Sequence, residues 1–401
     1  MTFAAGSYHG LSYLAETTFG VTPSGTYKNL RHTSCSVALS KDGFQSNELR
    51  SDRQISDFRH GAIRTQGDVG IEFSYGEFDA LLEAATFGTW SVGGTGGILK
   101  AGTTARSFTL RRRFGDILLD GLFTGCMINT FSLSIPANAM VTGSFSFIGK
   151  DGQYIGTPHT CTVTVTAGTS AGGAGTVTLT INGTAHTTAS IPESSDAETV
   201  ATAISTKLTT DGITHTRTGA AIALTVNALN GATPTVVFSL GTATGPTATV
   251  GTIAAIAPTA SLTDSPFDSF SGTLSEGGSP IAVVTSIDLS LANGLEPVFV
   301  VGSNTTPKIV PGRSNLTGSL SAYFENRSML DKFINETESS IELELIDVDG
   351  NKYDIEIPRI KYTGADNGVS GEGAIVMNMP WQALYDSSEA TNIKITRTDG
   401  P

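Results

Sequence analysis

Two segments of this chain share one order of sequence features, and this internal duplication constrains the fold more than any other property. Each contains an alternating run, a long polar loop, a strand entered through a glycine and a short amphipathic helix. The matched parts are the runs 37–40 and 287–290, the glycines Gly67 and Gly318, the helices 78–82 and 329–333, and the later stretches 131–147 and 360–377. A β-unit that occurs twice lets one chain occupy two equivalent places in a ring.

The composition favours β-structure with many turns. Only 15% of the residues are charged and 46 of the 401 are glycine, which argues against a helical bundle. A chain of this length can form two or three domains with cores of their own. The formal net charge of −13 argues against tight nucleic-acid binding, because affinity for phosphate comes from Lys and Arg. We expect a mainly β protein that can surround nucleic acid without binding it tightly.

The cysteine count and the first residues indicate in which cellular compartment the chain folds. Cys35, Cys126 and Cys161 are too few, and odd in number, for a disulfide framework. The first residues show no basic segment followed by an apolar core, and no stretch reaches the ~18 apolar residues of a membrane span. We therefore expect folding in a reducing cytoplasm, without export and without a membrane partner.

Changes in composition divide the chain into five segments. They are an N-terminal extended arm (1–35), a first β-unit (36–156), an inserted small α+β domain (157–265), a second β-unit (266–385) and a polar C-terminal tail (386–401). The insert is rich in Thr, Ala and Gly, and it has almost no aromatic residues. Its Asn182-Gly183 pair predicts a hairpin turn. Residues 195–204 predict a helix that Ser194 or Ser195 would cap.

The loop between the first two strands of the first β-unit is long and unusually charged for this chain. Loops of more than about 12–15 residues without structure of their own are usually functional or disordered. A loop with both signs of charge favours a contact surface over a flexible linker. The candidate contact residues are Lys41, Glu48, Arg50, Asp52, Arg53, Asp57, Arg59 and Arg64.

Motifs that suggest chemistry each have a simpler interpretation. Residues 347–351 contain residue types found in calcium-binding loops, but the glycine comes too early and no glutamate occupies the twelfth position. A hairpin turn is therefore predicted. The glycine-rich residues 93–97 lack the Lys-Ser/Thr of a phosphate loop, so a flexible loop is predicted. The arginines at 111–113 favour a salt-bridged subunit contact over a nucleic-acid site. His159 and Cys161 lack a second ligand pair. No catalytic, cofactor-binding or metal-binding residues are predicted.

The sequence resembles the major tail tube proteins of long-tailed, siphophage-type bacteriophages, of the duplicated kind with an inserted decoration domain. The resemblance covers about residues 1–150 and 267–385 and rests on the order of strand, long loop, strand and helix in both β-units. It also rests on residues 16–23, which look like the E-x-x-[YF]-G-x-x-P start common in phage tube and related structural proteins.

The resemblance implies two tandem tube-type β-sandwich units, each with a short helix, that join between subunits into a barrel around a lumen. A chain with two units would form a trimeric ring with pseudo-sixfold symmetry. The rings would stack into a tail tube through which DNA is ejected without tight binding. The charged loop would then reach the adjacent ring, with Arg50, Arg53 and Arg59 paired to acidic groups there.

The implied partners are further copies of the chain, a tape measure protein, and tail terminator and tip proteins. The implied location is the virion tail, assembled in the host cytoplasm, and the duplication is typical of non-contractile tails. No cofactor is implied. The insert would decorate the tube exterior.

A different class of protein also fits part of the sequence. Extracellular adhesins and carbohydrate-binding β-proteins are commonly Thr-rich sandwiches. Such a protein would need export, and sugar binding usually uses aromatic platforms. Trp90 and Trp381 are the two tryptophans of the chain. Electron microscopy distinguishes the two classes, since hollow tubes or stacked rings fit the first and discrete glycan-binding monomers fit the second.

Overall fold

The structure, a computed structural model, describes residues 3–91, 96–229, 231–269, 271–281, 283–369 and 371–400. The fold is mainly β, with 50% of the residues in strands and 8% in helices. Most of the predicted glycine-rich loop at 93–97 lies outside the described residues, whereas Gly96 and Gly97 begin a strand. None of the helices in the described part of the chain has the length and apolar character needed to cross a bilayer.

The described part of residues 1–156, which holds the predicted N-terminal extended arm and the first β-unit, contains a 3-10 turn at Gly6–Tyr8 and helix α1 (Asp79–Thr86). Its strands are β1 (His9–Ala15), β2 (Lys28–Asn29), β3 (Ser34–Cys35), β4 (Ala38–Gln45), β5 (Phe58–Glu72), β6 (Gly96–Lys100), β7 (Phe108–Phe114), β8 (Leu119–Pro136), β9 (Thr142–Gly149) and β10 (Asp151–Gly156). Helix α1 ends where Phe87 adopts a left-handed conformation, with φ of 54°.

The insert contains helix α2 (Ala197–Thr210). Its strands are β11 (Pro158–Ala167), β12 (Val177–Ile181), β13 (Thr184–Thr187), β14 (His215–Thr218), β15 (Ala221–Asn227), β16 (Val236–Leu240), β17 (Thr247–Val250) and β18 (Ala254–Ala255). The hairpin turn at Asn182-Gly183 is confirmed between β12 and β13, with positive φ at both residues. The helix cap was predicted wrongly: Asp196 accepts a 2.7 Å hydrogen bond from the Thr199 N–H.

The second β-unit contains helix α3 (Ser328–Ile334). Its strands are β19 (Thr273–Glu276), β20 (Ser279–Pro280), β21 (Val284–Ala292), β22 (Glu296–Val298), β23 (Lys308–Val310), β24 (Asn315–Tyr323), β25 (Ser339–Ile346), β26 (Lys352–Tyr362), β27 (Val376–Ala383) and β28 (Lys394–Thr398). Part of the predicted C-terminal tail is therefore a strand, and β28 pairs with β26 and β6.

The chain divides into two compact units. The first comprises Met1–Ser12, Arg111–Leu122 and Gln153–Thr259, so it contains the insert and two shorter segments. Its apolar core lies between the insert strands and α2 and includes Val163, Leu179, Ile204, Leu208 and Ile222.

The second compact unit comprises Tyr13–Leu110, Phe123–Gly152 and Ala260–Pro401. Its core is rich in aromatic rings because Phe and Tyr occur at alternate positions of neighbouring strands. Phe131 and Phe145 stack with centroids 4.9 Å apart, and Phe73 lies 5.5 Å from Tyr353. Stacked and tilted ring pairs add to the burial of apolar area in such a core.

The two β-units repeat one strand order, which confirms the predicted tandem arrangement. In the first the strands lie in the order β4, β5, β9, β8, and in the second in the order β21, β24, β27, β26. A helix follows the second strand in each case. The two sets are joined because β8 pairs antiparallel with β21.

Candidate assembly surfaces

The joined strands form one continuous series of eight, called here the eight-strand array: β4, β5, β9, β8, β21, β24, β27 and β26. The seam between the two β-units runs from Thr130 opposite Ala292 to Pro136 opposite Ser286. Within the described residues, β4 pairs with β5 alone. Edge strands carry unpaired N–H and C=O groups and are places where another chain can pair.

One side of the eight-strand array is polar and is called here the hydroxyl face. Its hydroxyl residues are Thr130, Ser132, Ser134, Thr142, Ser144, Ser146, Ser286, Ser290, Thr317, Ser319, Ser321 and Thr363. Ser132 and Ser144 share a 2.8 Å hydrogen bond, and the Ser134 hydroxyl donates to Asp288. Many of these residues line an open depression on this side.

The hydroxyl face carries few charges, and most of them are negative. In the paired stretches 38–40, 64–72, 130–136, 142–149, 286–292, 317–323, 360–363 and 376–382, the charged residues on this side are Arg64, Asp68, Glu72, Asp288 and Lys361, and Arg64 pairs with Asp42 at 2.6 Å. A surface with three carboxylates, one ammonium group and one guanidinium that already has a carboxylate partner offers no cationic patch for phosphates.

The opposite side of the eight-strand array is the core, and two glycines let strands and rings approach closely there. A Cβ on Gly318 would lie 2.2 Å from the Trp381 ring. A Cβ on Gly67 would lie 2.5 Å from the Val37 backbone, and Gly67 has φ of +148°. Both positions therefore require glycine.

The predicted charged loop is the distal part of the β4–β5 hairpin, and residues 41–64 are called here the first arm. Lys41 lies in β4, Arg59 and Arg64 lie in β5, and Glu48, Arg50, Asp52, Arg53 and Asp57 lie in the connection between them. Lys41, Glu48 and Arg53 are exposed. The structure thus brings all eight predicted residues onto one projecting hairpin.

Three arginines of the first arm have carboxylate partners within it. Arg50 pairs with Asp52 at 2.7 Å, Arg59 with Asp57 at 2.8 Å, and Arg64 with Asp42 at 2.6 Å. The hydrogen bond from Arg50 holds the pKa of Asp52 below its usual range, and it raises the pKa of Arg50. These ion pairs leave fewer free charges on the arm than the sequence indicated.

Sequence reasoning missed the exposed apolar residues of the first arm because it selected residues by charge. Leu49 is fully exposed, and Phe44, Ile55 and Phe58 are each more than half exposed. Grouped exposed apolar side chains of this kind are typical of interaction sites.

The second β-unit has a shorter counterpart at residues 293–314, called here the second arm. Its hairpin β22–β23 presents the exposed residues Val300 and Val301. The two arms lie side by side, since the Ile63 N–H donates to the Asn304 carbonyl at 2.7 Å.

The residues of the E-x-x-[YF]-G-x-x-P pattern form a partly buried polar contact that sequence reasoning did not anticipate. The Glu16 carboxylate accepts hydrogen bonds from the Gly20 and Gly125 N–H groups, each at 2.8 Å. It also accepts from the Ser107 and Thr109 hydroxyls at 2.7 and 2.8 Å. One carboxylate thus fixes the start of the chain to two strands, which gives the pattern a structural role.

The arginine run at 111–113 has partners within the chain, which corrects the predicted subunit contact. Arg111 and Arg113 both pair with Asp120, and Arg111 and Asp120 are buried. The Thr157 hydroxyl also donates to Asp120 at 2.8 Å. Alternation places Arg111 and Arg113 on one face of β7, and the buried Asp120 carboxylate lies against that face.

A buried polar cluster links α1 to the last strands of the second β-unit. Asp79 accepts hydrogen bonds from the Tyr353 hydroxyl and the Arg397 guanidinium. Arg397 also lies over the Trp90 ring at 5.4 Å. Burial raises the pKa of Asp79, while its two partners oppose that rise. The residues are far apart in sequence, so no local pattern could have identified them.

The predicted turn at 347–351 is confirmed as the connection between β25 and β26. The Asp347 carboxylate accepts from the Asp349 and Asn351 N–H groups, each at 2.9 Å. Carboxylate oxygens of Asp264, Asp347 and Asp349 lie within 4.8 Å of one another. Because Asp347 is already engaged by the turn, its role there is structural.

Comparison with known proteins agrees with the duplicated architecture. The sequence model of a family described as "Phage tail tube protein" matches residues 6–195 and again residues 194–383. The chain belongs to this family. It is a structural protein of the tail tube type, built from two tandem tube units. A structural role in the virion tail implies a protein without enzymatic activity.

Solved structures give a weaker match. One of them is a chain from the cryo-EM structure of an extracellular contractile injection system, PVC sheath/tube terminator in extended state. It shares 15% identity with this phage tail tube protein, with a TM-score of 0.26. The match covers 31% of this chain and 96% of that chain. No curated protein sequence matches the chain.

Proposed function

We propose that copies of this chain join their eight-strand arrays into a closed ring, and that the rings stack into the tube through which DNA is ejected. The observation that carries this proposal is the seam between β8 and β21, which joins two tube units within one chain. Joining arrays between chains satisfies the hydrogen-bonding groups at both ends, and closure leaves no edge strand.

The ring contains three chains. Each chain supplies two tube units, so three copies supply six wedges related by pseudo-sixfold symmetry. The barrel then contains three times eight strands, since each copy contributes one eight-strand array.

The hydroxyl face lines the lumen of the tube. Its small hydroxyl groups hold water at the surface, and its few charges are mainly carboxylates that repel phosphate. DNA therefore slides past without being held. A tape measure protein occupies this lumen before ejection, and terminator and tip proteins bind the two ends of the tube.

The arms form the contact between stacked rings. The exposed apolar residues of the first arm pack on the adjacent ring, while Lys41, Glu48 and Arg53 carry charges without a partner among the ion pairs described above. The pairs of Arg50, Arg59 and Arg64 keep the arm extended. Exposed ion pairs contribute about 0–1 kcal/mol each, so the apolar residues supply most of the stacking energy.

The insert lies on the exterior of the tube, away from the ring contacts. The proposal rests on its separate apolar core. A deletion variant tests this placement, in which a short Gly/Ser linker replaces residues 158–255. The deletion keeps Thr157, which donates to Asp120, and Ile256, whose carbonyl accepts from Arg113. Tubes of normal appearance are expected, whereas folded subunits that no longer assemble would place the insert in a ring contact.

Electron microscopy and native mass spectrometry of the purified protein test the proposed function. Hollow tubes or stacked rings containing three chains per ring are expected. Rings of six chains would contradict the pseudo-sixfold argument, since they would contain twelve wedges. Monomers that bind glycans would instead identify a carbohydrate-binding protein.

A further inference from the structure

The seam within the chain shows how one tube unit pairs with the next. In the eight-strand array, β8 of the first β-unit pairs with β21 of the second β-unit, and Thr130 lies opposite Ala292. If the proposed ring exists, the same kind of seam must recur between chains. The strands that form it are the counterparts of β8 and β21, and the internal repeat identifies them.

The counterpart of β21 is β4, and the register follows from the paired glycines. Gly67 and Gly318 are the crowded glycines of β5 and β24, and three residues before them lie Arg64 and Asn315. Arg64 pairs with Ser40, and Asn315 pairs with Ala292. Ser40 is therefore the counterpart of Ala292.

The alternation of burial supports this register. Thr65, Val69 and Ile71 of β5 are buried, as are the matching residues of β24, which are Leu316, Leu320 and Ala322. Across from the two glycines lie Phe147 of β9 and Trp381 of β27, both buried aromatic residues.

The counterpart of Thr130 lies just after β26. Thr130 pairs with Ser146, which precedes Phe147. The matching residue before Trp381 is Pro380, and its carbonyl accepts a 2.8 Å hydrogen bond from the Thr363 N–H. Thr363, which is exposed, therefore corresponds to Thr130.

We infer that residues 363–366 of one chain pair antiparallel with residues 38–40 of a second copy, with Thr363 opposite Ser40. This inference rests on the proposed function and specifies the partner surface in it. The same argument matches Asp366 to Ser132 and Ala38 to Ser290, which pair within the chain, so Asp366 lies opposite Ala38. Both predicted pairs fall on the side of the array that forms the hydroxyl face.

Disulfide cross-linking tests this register. The variant Ser40→Cys with Thr363→Cys is made in a Cys35→Ser background, because the Cys35 thiol is partly exposed and lies near β4 in sequence. Diamide oxidises the assembled protein, and it accepts the two electrons and two protons released when two thiols form a disulfide. Electrophoresis without reductant should show the monomer converted into covalent dimers and trimers and into nothing larger, and reductant should reverse the change.

Two matched controls come from the chain itself. Thr130→Cys with Ala292→Cys is the same pair at the internal seam, and it should form a disulfide within the monomer. Ser40→Cys with Lys361→Cys is displaced by two residues and should leave most of the protein monomeric. The second in-register pair, Ala38→Cys with Asp366→Cys, is tested in parallel, and it keeps the register testable if the first variant does not assemble.

The outcomes separate the register from the function. Rings seen by electron microscopy that fail to cross-link at both in-register pairs, or that cross-link more efficiently at the displaced pair, overturn the register while the tube remains. Failure of the wild-type protein to form rings overturns the proposed function, and the register with it.

Discussion

Helices α1 and α3 follow equivalent strands in the two β-units, but only α1 belongs to a core. Leu81, Leu82, Ala84 and Ala85 of α1 are buried, whereas α3 has no buried residue. Two adjacent alanines of α1, Ala84 and Ala85, are buried, whereas α3 carries the charged residues Asp331 and Lys332. The repeat therefore shares its strand order without sharing its helix packing, because strand pairing sets the seam and the helix only covers one side.

The largest expected effect is in α1. Leu82→Ala should lower the free energy of unfolding by about 2–5 kcal/mol, because the side chain is fully buried and truncation leaves a cavity. The matched control, Leu330→Ala in α3, should cost less than about 1.5 kcal/mol because Leu330 is partly exposed. Guanidinium denaturation of both variants measures the difference, and equal costs would show that α3 packs as α1 does.

The carboxylates Asp79 of α1 and Asp331 of α3 provide a second comparison of how strongly the two helices are attached to the rest of the fold. Asp79→Ala should destabilise the fold by about 1–3 kcal/mol, because it removes the partner of Tyr353 and Arg397 in a largely buried site. The control Asp331→Ala removes an exposed pair with Arg327 and should cost about 0.3–0.5 kcal/mol. Thermal unfolding of both variants measures the loss of stability, and an equal loss in Asp79→Ala and Asp331→Ala would contradict this prediction.

The apolar and the charged residues of the first arm contribute differently to the proposed contact between rings. Leu49→Ser with Ile55→Ser should give folded rings that stack into shorter tubes, since both side chains are exposed and apolar. The triple change Arg50→Ala, Arg53→Ala and Arg59→Ala should shorten tubes less, because Arg50 and Arg59 are paired within the arm.

Sedimentation at low and high salt compares these two sets of variants. Wild-type tubes that shorten strongly at high salt, together with loss of stacking in the triple variant alone, would show that ion pairs dominate the contact. Normal tube length in both sets of variants would show that the first arm is not a stacking contact.

The smallest effect concerns the carboxylates of two neighbouring strands in the second β-unit, since β25 carries Glu342 and Glu344 and β26 carries Asp354 and Glu356. Burial, followed by repulsion from Glu342, Glu356 and Glu344, raises the pKa of Asp354 to about 6. The folded state therefore binds a proton more tightly than the unfolded state, and this group's contribution to stability increases as the pH falls through 6.

Asp354→Asn removes the unfavourable charge. At pH 7.5 it should raise stability by less than about 1 kcal/mol, because the carboxylate is partly exposed and screened. At pH 4 the difference should be much smaller, because Asp354 is protonated in the folded state and the unfavourable charge is lost. Denaturation midpoints across this range measure the effect, and a variant less stable at pH 7.5 would contradict it.

The sequence by itself determined the features that depend on interactions between residues close together along the chain. Two-residue alternation predicted the strands, the Asn182-Gly183 pair predicted a hairpin, and the repeated order of features predicted two β-units. Each of these depends on residues adjacent along the chain, whose side chains face alternate sides or adopt a known turn. The family resemblance followed from the same order of features.

Only the tertiary structure decided the register of the repeat and the partners of charged residues. The sequence had matched Val37 with Ile287, whereas Ser40 and Ala292 are counterparts, a displacement of two residues. A shift of two leaves every side chain on the same face, so alternation cannot detect it, and hydrogen bonding across strands fixes the choice. The ion pairs of Arg111 with Asp120 and of Asp79 with Arg397 likewise arise from strands brought together by folding, and local sequence carries no record of that approach.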